Sequence, residues 1–546
     1  MRILLLSHAF NSLTQRLWVE LSARGHDVSC EFDVNDAVTI EAVELAKPDV
    51  IVAPFLKRAI PEQVWRRHRC LVVHPGPVGD RGPAALDWAI LEGREEWGVT
   101  VLQAEAAMDA GPVWASRGFA MRDASKSSLY RNEVTEAAVA AVLEALDAKD
   151  GTPPPDGRWK PACRQADRAI DWARDDTATV LRKIRSADGT PGLLDRIFGR
   201  EVYLHDAHPA ENLEGTPGII VARHGGAIAR ATVDGAVWIG HLRRRDEHAL
   251  KLPAAVVLGD EAMDGIPEAP GYHDIWYDER HGVGFLHFPF LNGAMSTDQC
   301  LRLRNAFHNA TQRPTRVIAL IGGPDFWSNG IHLGTIEEAD SPAEESWRNI
   351  NAMNDLCRDI ITCGSHFTIA AMQGNAGAGG VFMALAADLV LAREGVVLNP
   401  HYKGMGNLYG SEYWTYLLPK RCGSAQAAEV TGARLPIGGG EAERLGLIDT
   451  HFGRTPAEFR EAVEAMAGAI AEDPGLDERL AAKRLSRAAD EAEKPLEAYR
   501  TEELEQMKLN FYGFDPSYHV ARFNFIHRVP KSRTPLYLAR HRTLAT

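Results

Sequence analysis

CLVVHPGPVGDRGPAALDWAI, residues 70–90, has the pattern of a strand, a turn and a helix in direct succession. The apolar run ends in a histidine, and a turn rich in glycine and proline leads into a helical period. Similar apolar runs lie on both sides of this stretch: ILLL (3–6), VSCEF (28–32), DVIVA (49–53) and VTVLQ (99–103). We therefore expect an open, mainly parallel α/β sheet over residues 1–150, with ligands bound beyond the carboxyl ends of its strands.

A linker and two further domains follow this sheet. The polar stretch KDGTPPPDGRWKP (149–161) is dense in proline and glycine, which predicts a linker. A helical stripe, TATVLRKIRSA (177–187), and short alternating segments after it predict a small β-barrel or sheet domain over residues 160–255. A third domain is expected over residues 270–546, where strands mix with long helices and the pattern is helical from about Pro456 onward.

Composition and charge narrow the class of protein. Of the 546 residues, 45% are apolar and 25% are charged, which excludes a fibrous or disordered chain. The net charge of −14 disfavours a general binder of nucleic acid or of anionic membranes. Seven scattered cysteines without paired spacing fit packing thiols in a reducing compartment, and the first apolar run is too short for a signal peptide. We expect a cytoplasmic protein with no membrane segment.

The carboxyl-terminal stretch is basic although the whole chain is acidic. Between Asp515 and Thr546 it carries six basic residues against one acid: Arg522, Arg528, Lys531, Arg533, Arg540 and Arg542. Either this segment is salt-bridged to the acidic body, or its arginines form a clamp for phosphate groups, whose oxygens match the guanidinium fork.

A histidine and an aspartate of the first domain indicate acid–base chemistry. His74 ends a predicted strand, and Asp109 lies in MDAGPVW. A carboxylate facing a histidine can hold its tautomer and stabilise the imidazolium. A pair at this separation also occurs by chance in many enzymes, so the residues alone leave the assignment open.

The sequence around His74 and Asp109 resembles that of the folate-dependent formyltransferases, including methionyl-tRNA formyltransferase. The resemblance continues to about Leu252. It implies a Rossmann-like formyltransferase domain followed by that family's β-barrel domain, with 10-formyl-tetrahydrofolate as formyl donor. It also implies that His74 and Asp109 are catalytic, and that Leu56 and Lys57 line the pterin pocket. Two positions depart from the family pattern. Val72 stands in place of an asparagine and Gly76 in place of a serine, so we expect the formyl acceptor to differ from an ordinary amine.

Two glycine-bearing turns in the third domain follow predicted strands: FWSNGIHL (326–333) and QGNAGAGGVFMALAAD (373–388). Backbone N–H groups at such turns can converge on a carbonyl oxygen, although glycine clusters also serve close packing of a strand on a helix. Residues 283–452 resemble the crotonase (enoyl-CoA hydratase/isomerase) family. The resemblance implies that the amides of Ile331 and Gly379 hold a coenzyme A thioester carbonyl.

The acids that hydrate enoyl thioesters are missing from this part of the chain. Phe382 occupies the position of the first hydratase glutamate, and His401 lies at or beside the second. Simple addition of water is thereby disfavoured. Tyr402, in NPHYKG, and Glu412, in YGSEYW, are the remaining ionisable candidates near this pocket, and either of them could instead be a hydrogen-bonded structural residue.

The fusion of the two modules resembles the HypX/HoxX family of hydrogenase maturation factors. What it implies is formyl transfer from 10-formyl-tetrahydrofolate to coenzyme A, then decarbonylation of formyl-CoA to carbon monoxide and coenzyme A. Tyr402 and Glu412 would be the acid/base pair of the second step. Arg528, with Arg131 and Arg16 as further candidates, would bind the coenzyme A phosphates. Hydrogenase maturation proteins are the implied protein partners.

Two other functions remain open at this point. The chain could formylate an amine and carry a degenerate crotonase half, or it could be a non-catalytic assembly protein that binds folate and coenzyme A. No metal site is expected, because the 20 histidines show no metal-binding spacing.

Overall fold

Apolar runs at the start of the chain form the predicted sheet in the computed structural model, which describes residues 1–543. Four strands run parallel, and the last two are antiparallel to their neighbours. The order across the sheet is Asp27–Phe32, Arg2–Ser7, Val50–Phe55, Cys70–His74, Glu96–Gln103 and Val113–Ala120. The parallel strands are buried almost throughout, which explains why they are apolar without alternation.

Helices connect and cover these strands. Asn11 caps the first of them, since its side chain accepts a hydrogen bond from the Thr14 N–H and so satisfies a free donor of the first turn. The helices are Ser12–Ala23, Asp36–Ala46, Glu62–Trp65, Ala85–Leu91, Lys126–Leu129 and Thr135–Asp147, with a π-helical turn at Tyr130–Val134. A short parallel pair, Asp80–Arg81 with Arg158–Trp159, joins the turn after His74 to the predicted linker.

A second sheet follows and is antiparallel. It is preceded by a 3₁₀ turn, Gln165–Arg168, and by the helix Thr177–Ala187, which is the predicted one. The order is Ile220–His224, Ala227–Ala231, Ala236–Arg244, Arg200–Ala210 and Leu193–Ile197, and Leu252–Pro253 also pairs with Ala236–Arg244. Two short helices, Ala254–Leu258 and Asp260–Met263, close this region.

Backbone contacts divide the chain into two compact units. One comprises residues 1–273 together with the segment from Lys531 onward, and the other comprises Asp274–Pro530. The closing segment belongs with the first unit because the Leu538 carbonyl accepts from the Cys30 N–H and Thr534 Oγ1 accepts from the Phe32 N–H. It includes the helical turn Arg540–Thr543.

The second unit is built on two sheets. In the larger one, all neighbouring strands are parallel except the first pair. Its order is Trp276–Arg280, Val283–Phe288, Val317–Gly322, Phe367–Met372, Leu389–Arg393 and Thr450–Phe452. The smaller sheet has the order Phe326–Ser328, Asn375–Gly377, Val397–Asn399 and Ile437–Gly438.

The helices of the second unit surround these sheets and include a carboxyl-terminal group, as the sequence pattern predicts. A 3₁₀ turn lies at Leu291–Gly293. The helices are Thr297–Ala310, Leu333–Glu338, Pro342–Ile361, Gly379–Leu385, Trp414–Cys422, Ser424–Ala433, Gly439–Arg444, Pro456–Glu472, Leu476–Glu493, Leu496–Tyr512 and Ser517–Ile526. Across residues 1–543, none of the helices combines the length and apolar composition that a membrane span requires.

The smaller sheet positions the two glycine-bearing turns. The strands Phe326–Ser328 and Asn375–Gly377 pair in parallel, with Ser328 opposite Ala376. Because parallel strands end at the same edge, the turns that follow them emerge side by side. A Cβ placed on Gly330 would lie 3.3 Å from the amide nitrogen of Gly379, so the two turns are in close contact.

Candidate functional site

His74 lies between two carboxylates at the end of its strand. Its Nε2 is 2.9 Å from Asp80 Oδ2, and its Nδ1 is 3.6 Å from Asp109 Oδ1. All three side chains are almost fully buried. The Gly82 N–H donates to Asp109 Oδ2 at 3.0 Å, which fixes that carboxylate. The structure thus brings His74 and Asp109 together, and it adds a carboxylate that the sequence analysis did not single out.

The close contact between His74 and Asp80 explains the glycine at position 76, two residues after the histidine. A Cβ at residue 76 would lie 2.5 Å from both His74 Nε2 and Asp80 Oδ2, so any side chain there would break the pair. The departure of Gly76 from the family serine is therefore coupled to Asp80 in the rebuilt loop. In the sequence, Gly76 signals that the loop is rebuilt, but it does not identify Asp80 as the partner of His74.

A cavity of about 220 Å³ opens beside His74 and its two carboxylate neighbours. Asp80, Arg81, Thr100 and Asp109 line one part of it. The predicted linker forms another part, through residues 154–157. The linker is held there because the Arg158 N–H donates to the Gly79 carbonyl and the Lys160 N–H to the Arg81 carbonyl.

The other predicted ligand residues of the first unit lie on separate elements. Leu56 follows the strand Val50–Phe55 and packs against a cluster of buried apolar side chains, while Lys57 is exposed. Arg16 is buried and its guanidinium bonds Glu20 and Glu136. Arg131, in the π-helical turn, is half-buried.

In the second unit, Ile331 and Gly379 lie on the two glycine-bearing turns that contact each other. Within residues 1–543, neither N–H group has a hydrogen-bond acceptor, although Gly379 is buried. Around them the backbone is paired: the Met295 N–H donates to the Gly330 carbonyl, and the Ala378 N–H to the Asn399 carbonyl. Gly379 begins its helix, where N–H groups lack intrahelical partners.

Tyr402 and Glu412 form a buried pair against the same helix start. The Tyr402 hydroxyl donates to Glu412 Oε2 at 2.6 Å, and the Ser411 N–H donates to the same oxygen at 3.2 Å. A Cβ on Gly379 would lie 2.0 Å from Glu412 Oε1, so this oxygen lies directly over the glycine. Burial raises the pKa of Glu412 to about 7 and holds the pKa of Tyr402 well above its ordinary value.

Phe382 and His401 occupy the positions at which the crotonase acids are missing, and the structure shows what surrounds each of them. Phe382 is fully buried and its ring stacks on Tyr402, with centroids 5.4 Å apart. Burial lowers the pKa of His401 to about 4, so this imidazole is neutral at physiological pH. Trp414, whose ring contacts Phe382, buries an indole N–H without a partner among residues 1–543.

A second buried carboxylate, Glu503, contacts the loop that carries Glu412. Ser411, Tyr413 and Thr415 donate hydrogen bonds to its carboxylate. No sequence signal places this helix residue beside that loop, because the contact joins segments about 90 residues apart.

The basic carboxyl-terminal stretch is partly salt-bridged. Arg522 bonds Glu337 at 2.7 Å, and Arg542 bonds Glu31 at 2.7 Å and Glu41 at 2.8 Å. For these residues the structure agrees with the first of the two interpretations. Arg528, the first candidate for the coenzyme A phosphates, is exposed and has a left-handed backbone (φ 54°).

Comparison with protein families gives three matches along the chain. Residues 30–146 match the family described as formyl transferase, and residues 163–256 match the formyl transferase C-terminal domain. Residues 286–511 match enoyl-CoA hydratase/isomerase. These matches confirm the predicted combination of formyltransferase and crotonase folds.

Individual relatives cover the whole chain or only its first part. Methionyl-tRNA formyltransferase of Nitrosomonas eutropha is 28% identical over 42% of this chain and 74% of its own length. The crystal structure of HypX from Aquifex aeolicus in complex with tetrahydrofolic acid is 52% identical, with a TM-score of 0.97 over 99% of both chains. The hydrogenase maturation factor HoxX of Bradyrhizobium diazoefficiens is 60% identical over 99% of this chain and 97% of its own. The chain therefore belongs to the HypX/HoxX family of hydrogenase maturation factors.

Proposed function

We propose that the chain makes carbon monoxide for the nickel-iron hydrogenase active site in two steps. The first unit transfers the formyl group of 10-formyl-tetrahydrofolate to coenzyme A. The second unit splits formyl-CoA into carbon monoxide and coenzyme A. The observation that carries the proposal is the Glu412 carboxylate lying over Gly379, whose amide, like that of Ile331, has no acceptor within residues 1–543.

In the first step the coenzyme A sulfur attacks the formyl carbon, the C–N10 bond breaks, and N10 takes a proton. His74 is the acid/base group for these proton transfers, and the cavity beside it leaves room for the reacting groups. Asp80 accepts the Nε2–H of His74 and so fixes the ring. Val72 offers no donor to the formyl oxygen, and this loss is tolerable for a thiolate, which is intrinsically more nucleophilic than an amine.

The relatives and the family resemblance indicate which residues are candidates for contacts with the two ligands. The HypX structure from Aquifex aeolicus holds tetrahydrofolic acid, and this chain matches it over nearly its whole length. Leu56 and Lys57, which the family resemblance places at the pterin pocket, are our candidates for folate contacts. Arg16 and Arg131 of the first unit and, separately, Arg528 of the second unit are candidates for the coenzyme A phosphates. Arg16 would first have to leave Glu20 and Glu136.

In the second step the amides of Ile331 and Gly379 hold the formyl oxygen. Glu412 takes the formyl proton as the C–S bond breaks, and the electron pair of that bond leaves with sulfur. The same carboxyl then returns the proton to the thiolate. A pKa of about 7 suits this double task, because both protonation states are accessible at neutral pH. Tyr402 stays protonated and orients Glu412 through its hydroxyl.

The overall reaction balances without an oxidant or a reductant. The formyl carbon and carbon monoxide have the same oxidation state, and the proton lost from carbon is returned to sulfur. Phe382 supports this outcome because it replaces a carboxylate that could activate water with an aromatic ring stacked on Tyr402. A dry pocket suppresses the competing hydrolysis to formate.

The two half-reactions can be separated with two variants. Purified protein is given 10-formyl-tetrahydrofolate and coenzyme A, formyl-CoA is followed by mass spectrometry, and carbon monoxide is trapped with deoxyhaemoglobin. Glu412→Gln is expected to accumulate formyl-CoA without carbon monoxide. His74→Gln is expected to make neither, yet to release carbon monoxide when formyl-CoA is supplied directly.

Each rival function predicts a different pattern. A non-catalytic assembly protein would bind both ligands and give neither product. An amine formyltransferase would consume the folate only with an amine present, and Glu412→Gln would leave that activity unchanged. Either pattern would refute the proposal.

A further inference from the structure

Glu503 holds the loop that presents Glu412, from a helix more than 80 residues further along the chain. It lies on Leu496–Tyr512 and is fully buried. Its Oε2 accepts from Ser411 Oγ at 3.2 Å and from the Tyr413 N–H at 3.0 Å. Its Oε1 accepts from the Thr415 N–H at 2.9 Å and from Thr415 Oγ1 at 2.6 Å. Four donors therefore converge on one carboxylate.

The loop needs such a partner because its backbone is strained. Glu412 and Tyr413 have φ angles of 60° and 59°, a left-handed conformation that side chains other than glycine rarely adopt. Asn354 fixes the loop from the other side, since its Oδ1 accepts from the Glu412 N–H and its Nδ2 donates to Ser411 Oγ, both at 2.8 Å. Ser411 Oγ thus bridges Asn354 and Glu503.

The two buried acids also differ in what surrounds them. Every partner of Glu503 is a donor, so the loop satisfies its ionised form. Glu412 has two donors on Oε2 and none on Oε1 among residues 1–543. Burial and the charge of Glu503 raise the pKa of Glu412 to about 7. Burial raises the pKa of Glu503 to about 7 as well, and its hydrogen bonds oppose that rise.

Few other titratable groups act on this pair. Tyr402, Cys357 and Cys300 are buried beside it and carry raised pKa values, so they are neutral at physiological pH. Arg500, on the same helix as Glu503, is paired with Asp355 at 2.6 Å. Glu503 is therefore the buried group whose charge most directly affects Glu412.

We propose that Glu503 is a positioning residue for the decarbonylation step: it fixes the strained loop and places a second carboxylate behind Glu412, so that Glu412 keeps its proton-transfer role at neutral pH. This inference rests on the proposed function of Glu412. Neither the sequence pattern nor the family matches assign Glu503 a role.

The test compares Glu503→Gln with Glu505→Gln, an exposed acid on the same helix. Formyl-CoA is supplied directly, and carbon monoxide release is measured from pH 5.5 to 8.5 as kcat and KM. We expect Glu503→Gln to lower kcat at least tenfold with little change in KM, and to move the acid limb of the pH profile roughly one pH unit lower, because a neighbouring negative charge is gone. Glu505→Gln should match the unmodified protein.

Further variants separate this role from simple destabilisation. Glu503→Asp keeps the charge and is expected to keep the position of the acid limb. Thr415→Val removes one hydrogen bond but not the charge, so it should lower kcat without moving the limb, and it serves if Glu503→Gln does not fold. A Glu503→Gln protein with a lower melting temperature but an unmoved limb and an unchanged kcat would overturn the inference. If Glu412→Gln itself still releases carbon monoxide, the proposed function fails instead.

Discussion

Gly379→Ala tests whether the helix start and the Glu412 carboxylate work as one site. The added Cβ would lie 2.0 Å from Glu412 Oε1 and 2.5 Å from its Cδ. Restoring an ordinary contact of 3.4 Å requires the carboxylate to move by about 1.4 Å. That carboxylate is held by Tyr402 at 2.6 Å and cannot move without stretching this hydrogen bond.

A displacement of about 1 Å in a catalytic group typically costs on the order of 10²-fold in rate. We therefore expect Gly379→Ala to lower carbon monoxide release from formyl-CoA at least about 100-fold. Formyl transfer to coenzyme A, which we propose for the other unit, should be unchanged. The assay follows carbon monoxide with deoxyhaemoglobin, and formyl-CoA by mass spectrometry, in the same reaction.

Gly432→Ala is the matched control. This glycine lies in the helix Ser424–Ala433, and a Cβ there meets no atom within 4 Å. Alanine inside a helix is more stable than glycine by roughly 0.5–1 kcal/mol, so this variant should melt no lower than the unmodified protein. If Gly379→Ala released carbon monoxide at the normal rate while remaining folded, the placement of the site at this helix start would be wrong.

The remaining predictions concern both sites. Carbon monoxide release from formyl-CoA should rise with pH through about 7. Burial raises the pKa of Glu412 to about 7, and only the ionised form of this carboxyl accepts the formyl proton. A rate that is flat from pH 5.5 to 8.5 would contradict this prediction. Gly76→Ser should lower formyl transfer on the order of 10²-fold, since its Cβ would lie 2.5 Å from both His74 Nε2 and Asp80 Oδ2. Its cleavage of supplied formyl-CoA should be normal, and a loss of both activities would instead indicate misfolding. Asp80→Asn should leave the protein folded but lower formyl transfer, as an amide cannot stabilise the imidazolium of His74; full activity would show that Asp109 alone suffices.

Much of the fold could be predicted because its strands carry a local signal. The run CLVVH is the strand Cys70–His74, and the stripe TATVLRKIRSA is the helix Thr177–Ala187. Apolar runs and helical periods depend on neighbouring residues only, so they can be recognised without tertiary information. The glycine-bearing turns of the second unit were also recognisable, since a strand precedes each of them.

What could not be predicted depends on contacts between distant segments. Asp80 lies in the short strand Asp80–Arg81, and its contact with His74 depends on how the turn between them folds. The predicted linker also lines the cavity beside His74 through residues 154–157. Glu503 lies on its helix between the charged residues Glu502 and Glu505, which are exposed. Its burial follows from tertiary packing that no local sequence pattern encodes.

The most direct test of the account follows the carbon atom itself. Protein is given 10-formyl-tetrahydrofolate labelled with ¹³C in the formyl group and a small fraction of one equivalent of coenzyme A. In the proposed cycle coenzyme A is the acceptor of the first step and a product of the second. We therefore predict many molecules of ¹³C-labelled carbon monoxide for each coenzyme A, detected by infrared spectroscopy of the gas or of the haem complex. Labelled formate, or labelled formyl-CoA that stops at one equivalent of coenzyme A, with no labelled carbon monoxide, would contradict it.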